Sequence, residues 1–162
     1  ISFDETKEAS KMNIATRLSA LNFLDNGGAI GVFPGGTVST AQNPFGVPMD
    51  PGWRSFTAKM ITRSDAQVVP IFFEGHNSRL FQVASHIHYN LRMGLLIKEF
   101  KSKVGNPVKI AIGNTLSDTA IKSRSGNPRI LMDFLREETY KLSRTPLDNF
   151  NYGYEFESRY KI

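Results

Sequence analysis

Hydrophobic residues recur at helical spacing in several stretches of the chain. The first helix is expected to follow the capping-box pair Ser2 and Glu5 and to end at Gly27. Helical spacing of apolar residues returns over residues 80–100, where it predicts one or two helices. Pro128 stands at a plausible first helical position and predicts the last helix of the chain. Helices are therefore expected over much of the chain.

Three short apolar runs have the pattern of strands instead. Residues 29–33 and 68–73 are continuous apolar runs followed by glycine-containing loops, which is typical of buried strands, and residues 108–113 alternate like a half-exposed strand. A helical face over residues 53–61 separates the first two. This alternation predicts an α/β fold, a single domain with a central mixed or mostly parallel sheet flanked by helices.

Residues 35–52 have no helical or strand period. Three prolines in turn-forming contexts punctuate this stretch, which predicts a long loop. It still contains Phe45, Val47 and Met49, apolar residues that a disordered linker lacks. Long ordered loops inside a domain are usually functional, so we expect this one to carry part of a site.

The composition agrees with one globular domain. The 162 residues are 40% hydrophobic and 22% charged, which supplies one ordinary core and argues against a disordered chain. No apolar run approaches the roughly 18 residues of a membrane span. The absence of cysteine excludes a disulfide framework and a thiol nucleophile, and it fits a reducing compartment.

Positive charge is concentrated in one part of the chain. The formal net charge is +5, and residues 79–129 hold nine Lys and Arg against only Glu99 and Asp118. Such a field attracts nucleic acid or anionic lipid headgroups. Nucleic acid is not an expected partner, because residues 68–73 and 108–112 lack the aromatic and basic alternation that stacks bases. A noncatalytic basic module that binds lipid or a membrane surface is therefore the alternative to an enzyme.

The familiar motifs for cofactors and metals are not found. The glycines before Thr37 lack the spacing of a dinucleotide fingerprint, and Thr37 stands where a P-loop has its lysine. His86 and His88 would point about 200° apart on a helix, which disfavours a shared metal ion. His76 lies in a strand-end loop, where a functional histidine and an ordinary one are equally consistent with the pattern. We expect no cofactor and no metal site.

Two motifs resemble those of a known enzyme family. The run FPGGTVS at residues 33–39 resembles the FPEGTRS block of the glycerolipid acyltransferase (lysophospholipid acyltransferase, PlsC-like) family, and VPIFF at residues 69–73 resembles its VPV block. The wider likeness, over residues 3–143, is to the bacterial branch of lyso-ornithine lipid acyltransferases and hemolysin-like proteins. The resemblance implies a PlsC-like acyltransferase fold that lacks its N-terminal part. Residues 1–144 would form a partial acyltransferase domain, and residues 145–162 would form an aromatic C-terminal tail docked against it.

The resemblance also implies a reaction. A fatty acyl group would pass from acyl-carrier protein or acyl-coenzyme A to a hydroxyl of a lyso-lipid, either a lyso-ornithine lipid or a lysophospholipid, at the cytoplasmic face of the inner membrane. In the family, the His of an HxxxxD motif removes the hydroxyl proton. None of His76, His86 and His88 is followed by Asp at that spacing. We therefore expect the motif to lie upstream of Ile1 and this chain to be inactive alone.

The two motif regions contain the residues that the resemblance assigns to substrate binding. They are Phe33, Pro34, Gly35, Gly36, Thr37, Ser39, Glu74, Gly75, His76, Asn77 and Arg79. Gly35 and Val38 replace the Glu and Arg of FPEGTRS, the pair expected to hold a glycerol phosphate. An amino-acid lipid such as lyso-ornithine is thereby favoured as the acceptor, although Arg54, Arg79 or Arg92 could supply a replacement positive charge.

Overall fold

The computed structural model describes residues 7–156. Its regular elements follow one another as α1 (Lys7–Asp25), α2 (Phe56–Ile61), β1 (Ile71–Phe73), α3 (Arg79–Ile87), α4 (Tyr89–Lys103), β2 (Ile110–Ile112), α5 (Asp118–Lys122) and α6 (Pro128–Tyr140). Helices and strands alternate within one domain, which confirms the α/β class. Among the described residues, no helix is both long and apolar enough to cross a bilayer.

Helix α1 ends where the glycine signal predicts. The Gly27 N–H donates to Leu24 O and the Gly28 N–H to Phe23 O, both at 2.9 Å, and Gly27 has φ of +78°. This arrangement satisfies the last carbonyls of the helix, and it favours glycine because of the positive φ. The predicted capping pair, Ser2 and Glu5, lies outside the described residues.

The hydrophobic core lies between α2, α5 and α6. Its buried members are Ala58, Ile121, Leu131, Met132 and Leu135. Helix α6 begins at Pro128 as predicted, and the Asn127 side chain accepts hydrogen bonds from the first free N–H groups of that helix. Helix α5 has only five residues, and its short sequence carries no period from which to predict it.

The sheet differs from the prediction. Strands β1 and β2 pair antiparallel, with Ile71 opposite Ile112 and Phe73 opposite Ile110. Residues 7–156 contain this two-stranded sheet and not the central mixed or mostly parallel sheet that the sequence predicts. Apolar periodicity reports which side chains favour burial, but it does not report the direction of the partner strand.

The two faces of this sheet have different surroundings. On the inner face, Phe72 packs against Tyr140 of α6, with ring centroids 5.4 Å apart. The outer face is exposed and consists of Ile71, Phe73, Ile110 and Ile112. The inner face is therefore the better packed of the two, and the side chains of the outer face remain largely in contact with solvent.

Residues 29–33 are not a strand, so the prediction of a buried strand here is wrong for this structure. Ile30, Val32 and Phe33 are exposed, and within residues 7–156 no strand is assigned to this run. An apolar run becomes a strand only when a neighbouring strand completes its backbone hydrogen bonds. No such neighbour lies beside it in the described part of the chain.

Helices α3 and α4 form a hairpin around His88. The His88 N–H donates to Ala84 O at 3.1 Å, and its ring Nδ1 accepts from the Asn90 N–H at 3.1 Å. The Nε2 atom of His86 lies 2.9 Å from Ala41 O. Both histidines thus have structural partners, and across residues 7–156 no three His, Cys, Asp or Glu side chains are grouped to hold a metal ion.

The chain returns to the long loop after α6. The Gly153 N–H donates to Asp50 O at 2.8 Å, and the Tyr154 N–H donates to Thr40 O at 2.9 Å. Residues 150–156 therefore lie along the loop that the sequence singles out.

Candidate functional site

Two loops that follow the apolar runs meet on one side of the molecule. We call residues 35–52 the motif loop and residues 74–78 the glycine loop. Phe33, just before the motif loop, packs against Phe73, just before the glycine loop, with ring centroids 5.6 Å apart. The two motif regions therefore form one continuous surface, although only one of them follows a strand.

A buried arginine from α4 holds the first part of the motif loop. Arg92 donates from Nη1 to Thr40 Oγ1 at 2.8 Å and to Ser85 Oγ at 2.9 Å, and from Nη2 to Val38 O at 3.2 Å. Its donors are thus directed at the loop and at the neighbouring helix. Arg92 was a candidate substrate cation, but the structure places it behind the loop, where it anchors the backbone.

The same guanidinium contacts two aromatic rings. Its central carbon lies 4.8 Å from the ring centroid of Phe81 and 4.0 Å from that of Phe156. Burial lowers the pKa of Arg92, while the nearby Tyr89 opposes this effect. Arginine nevertheless stays protonated at neutral pH, so the positive charge is stabilised by ring faces and neutral oxygens.

Asp50 joins the two ends of the motif loop to α6. Its carboxylate accepts hydrogen bonds from the Ser39 hydroxyl and from Trp53 Nε1, the latter at 2.9 Å. Its N–H donates to the Tyr140 hydroxyl at 2.8 Å. Burial and the negative charge of Asp50 raise the pKa of Tyr140 to about 12, so Tyr140 stays a neutral phenol. Ser39 of the motif is therefore engaged in holding the loop.

A second buried arginine, Arg136 of α6, ties the tail to the motif loop. Its Nη2 donates to Asp50 O and Asn151 O, both at 2.9 Å, and its Nη1 donates to Phe150 O at 2.6 Å. Burial lowers the pKa of Arg136, with Tyr140 opposing this effect. The sequence analysis does not predict this role, although an arginine on the apolar face of an amphipathic helix is a signal for it.

The two glycines of the motif have charged neighbours. A Cβ at Gly35 would lie 3.4 Å from the Asp50 carboxylate, and a Cβ at Gly36, where φ is +66°, would lie 3.7 Å from Arg54 Nε. Arg54 in turn forms an ion pair with Glu155 at 3.0 Å. A carboxylate, that of Asp50, therefore lies beside Gly35, and a guanidinium, that of Arg54, lies beside Gly36.

Helix α4 also braces the glycine loop. Glu99 accepts from the Ser78 N–H at 3.0 Å and from the Ser78 hydroxyl, and Lys103 Nζ donates to Asn77 Oδ1 at 3.0 Å and to His76 O at 3.2 Å. Burial alone would raise the pKa of Glu99, but the Ser78 hydrogen bonds and the charge of Lys103 outweigh it, so this pKa is lowered. Both loops are therefore held from behind by α4.

The predicted substrate-binding residues divide by exposure. Those exposed to solvent are Phe33, Gly36, Thr37, Gly75, His76 and Arg79; those half-buried are Pro34, Ser39 and Glu74; those buried are Gly35 and Asn77. Only part of the predicted set is therefore at the surface, where a ligand could reach it. Their role in binding substrate stays a prediction.

Of the three arginines considered as replacement cations, Arg79 is the exposed one. Its Nη1 donates to Gly46 O of the motif loop at 2.6 Å. Arg54 is paired with Glu155, and Arg92 is buried. A substrate anion at the junction of the loops would therefore meet Arg79 first.

The site has the character of a binding surface. His76 lies in the glycine loop and its Nδ1 is 2.9 Å from Asn77 O, a carbonyl rather than a carboxylate that could orient an imidazole base. The exposed groups can hold a ligand, while Asp50, Arg92 and Glu99 fix the loops.

Comparison with known proteins identifies the family. A sequence model described as acyltransferase matches residues 6–149. No curated protein sequence matches the chain, and no solved structure does. The match includes both loops and the elements that brace them. The chain therefore belongs to the acyltransferase family.

Proposed function

We propose that this chain forms the substrate-binding surface of an acyltransferase that transfers a fatty acyl group from acyl-carrier protein or acyl-coenzyme A to a hydroxyl of a lyso-lipid. The acceptor oxygen would bond to the thioester carbonyl carbon, the carbon–sulfur bond would break, and the thiol would leave with the hydroxyl proton. The observation that carries the proposal is the meeting of the motif loop and the glycine loop at Phe33 and Phe73.

The charges around this junction favour an amino-acid headgroup over a phosphate. A phosphate carries up to two negative charges and is best held by several donors. Here Arg54 already pairs with Glu155, Arg92 is buried, and Arg79 alone of these three arginines is exposed. The exposed Lys103 beside the glycine loop already donates to His76 O and Asn77 Oδ1. A lyso-ornithine headgroup has one carboxylate and one ammonium group, which Arg79 and the half-buried Glu74 can complement. We place the reaction at the cytoplasmic face of the inner membrane, where the chain would be peripheral.

Binding can be measured through the single tryptophan. Trp53 is hydrogen-bonded to Asp50, whose carboxylate lies beside Gly35, so its emission should change when a ligand covers the motif loop. We expect monomeric lyso-ornithine lipid to bind about tenfold more tightly than lysophosphatidic acid, a difference of about 1.4 kcal/mol.

A matched pair of phenylalanines tests where the ligand sits. Phe33 is 78% exposed and Phe100 is 72% exposed, so alanine at either position removes a similar ring without opening the core. Phe33→Ala should raise the dissociation constant at least tenfold, because a ring buried by ligand contributes about 1.5–3 kcal/mol, whereas Phe100→Ala should not. Equal effects of the two substitutions would rule out binding at this junction.

Turnover is expected to be absent from the 162-residue chain, even where binding is measured. None of its three histidines is followed by the Asp of HxxxxD, and His76 lies against a carbonyl. The assay is ester formation from acyl-coenzyme A and lyso-ornithine lipid. If the unmodified chain forms the ester and the His76→Ala variant does not, the base lies in the glycine loop and this part of the proposal is wrong.

A further inference from the structure

Helix α4 carries an apolar stripe that faces solvent. The stripe consists of Tyr89, Met93, Ile97, Phe100 and Val104, the last being the residue that ends the helix. At 100° per residue these positions fall within an arc of about 80°. All of them are exposed, although apolar residues at such spacing usually face a core.

The charged residues of α4 are distributed unevenly around the helix. Of the exposed cations, Lys101 lies about 40° and Lys98 about 100° around the helix from Ile97, which is at the edge of the stripe, whereas Arg92 and Glu99 are buried. Glu99, the single acidic residue of α4, is bonded to Ser78. The exposed face of this helix is therefore apolar and basic, with no carboxylate of its own.

We propose that this face of α4 lies on the surface of an anionic bilayer. A helix with an apolar stripe and neighbouring lysines lies in the plane of the interface, where the apolar side chains enter the headgroup boundary and the lysines meet anionic headgroups. The inference rests on the proposed function, because it identifies the surface that would keep the chain at the membrane containing its lyso-lipid. It also explains how α4 can brace both loops on one side and contact lipid on another.

Lys103 differs in its contacts from Lys98 and Lys101, the other two lysines near this end of α4. It donates to Asn77 and His76, so replacing it would disturb the glycine loop as well as the surface charge. The electrostatic test therefore uses Lys98 and Lys101 alone. Lys59 and Lys122 are exposed on other helices and serve as control positions.

The test is sedimentation of the 162-residue chain with vesicles and without substrate. Vesicles of phosphatidylglycerol and phosphatidylcholine provide the anionic surface, and pure phosphatidylcholine provides the neutral one. Replacing Lys98 and Lys101 together by Gln should lower partitioning onto anionic vesicles by about fivefold or more, because each lysine near the surface contributes about fivefold and Lys101 lies nearer the stripe. High salt should produce a loss of the same kind, while the Lys59 and Lys122 double variant should bind like the unmodified chain.

A matched isoleucine pair tests the apolar stripe. Ile97 on α4 is 62% exposed and Ile112 on the outer face of the sheet is 64% exposed, so serine at either position should leave the fold intact, which the melting temperature verifies. Ile97→Ser should lower partitioning onto both kinds of vesicle about tenfold, and Ile112→Ser should leave it unchanged.

Three results would overturn the inference: no binding to anionic vesicles, equal loss from the two isoleucine variants, or a dimer in solution that Ile97→Ser dissociates. The last would identify the stripe as a contact between copies of the chain. Because no substrate is present in this test, none of these results changes the conclusion about lyso-lipid binding, which is measured separately through Trp53.

Discussion

The motif loop and the two-stranded sheet differ in a way that secondary structure would not suggest. The loop has no regular structure, yet Thr40, Ala41 and Met49 are buried, and two buried arginines donate to its backbone. The sheet has regular pairing, yet its outer face is exposed. Order in the motif loop therefore comes from buried side chains and from arginines that bond to its backbone carbonyls, without strand pairing of the kind seen in the sheet.

Arg136→Met should have the largest effect on stability. The substitution removes three charge-assisted hydrogen bonds, to Asp50 O, Phe150 O and Asn151 O, of which Asp50 O keeps the Gly153 N–H, so we expect a loss of about 3–5 kcal/mol in the free energy of unfolding. Urea denaturation measures this loss. Arg129→Met, at an exposed position on the same helix, is the control. Similar losses from both would show that the tail and motif loop do not depend on Arg136.

Gly153→Ala should release the tail from the motif loop. A Cβ at this position would lie 1.8 Å from Met49 O and 2.5 Å from Thr40 O, so the backbone must move, at a cost of about 1–3 kcal/mol. Hydrogen exchange should show faster exchange of the Tyr154 and Thr40 amides. Gly126→Ala is the matched control, because no atom lies within 4 Å of a Cβ there. Unchanged exchange in Gly153→Ala would contradict the docked position of the tail.

Glu99→Gln should have a smaller effect that depends on pH. The folded protein lowers the pKa of Glu99, so its carboxylate binds protons less readily than in the unfolded chain. The resulting stability is present above the unfolded pKa, near 4.3, and is lost as pH falls through the folded pKa. At pH 7 the substitution should cost about 1–2 kcal/mol, and the difference from the unmodified chain should shrink below pH 4. A difference that stays constant with pH would mean that the charge of Glu99 does not hold Ser78.

Ile112→Thr should have the smallest effect. The side chain is exposed on the outer face of the sheet, and threonine keeps the β-branched shape that strands favour, so the free energy of unfolding should change by less than about 0.5 kcal/mol. Phe72→Ala, on the inner face against Tyr140, should cost several times more. Equal losses would show that the two faces are packed alike in solution.

Features that depend only on neighbouring residues could be predicted from the amino-acid sequence. Gly27 ends α1, Asn127 and Pro128 begin α6, and the runs at residues 33–39 and 69–73 indicate the family to which the chain belongs. A cap, a turn or a motif acts over a few residues, so its signal is contained in a short window of sequence.

The residues that hold the site in place and the direction of strand pairing follow from contacts that form only in the folded chain. Arg92 reaches Val38 and Arg136 reaches Asp50 across long stretches of chain, and the direction of pairing between β1 and β2 depends on the helical hairpin that connects them. The run at residues 29–33 has strand composition but no strand beside it in the described part of the chain. Buried polar groups and strand edges need partners that are distant in sequence, and local periodicity carries no information about those partners.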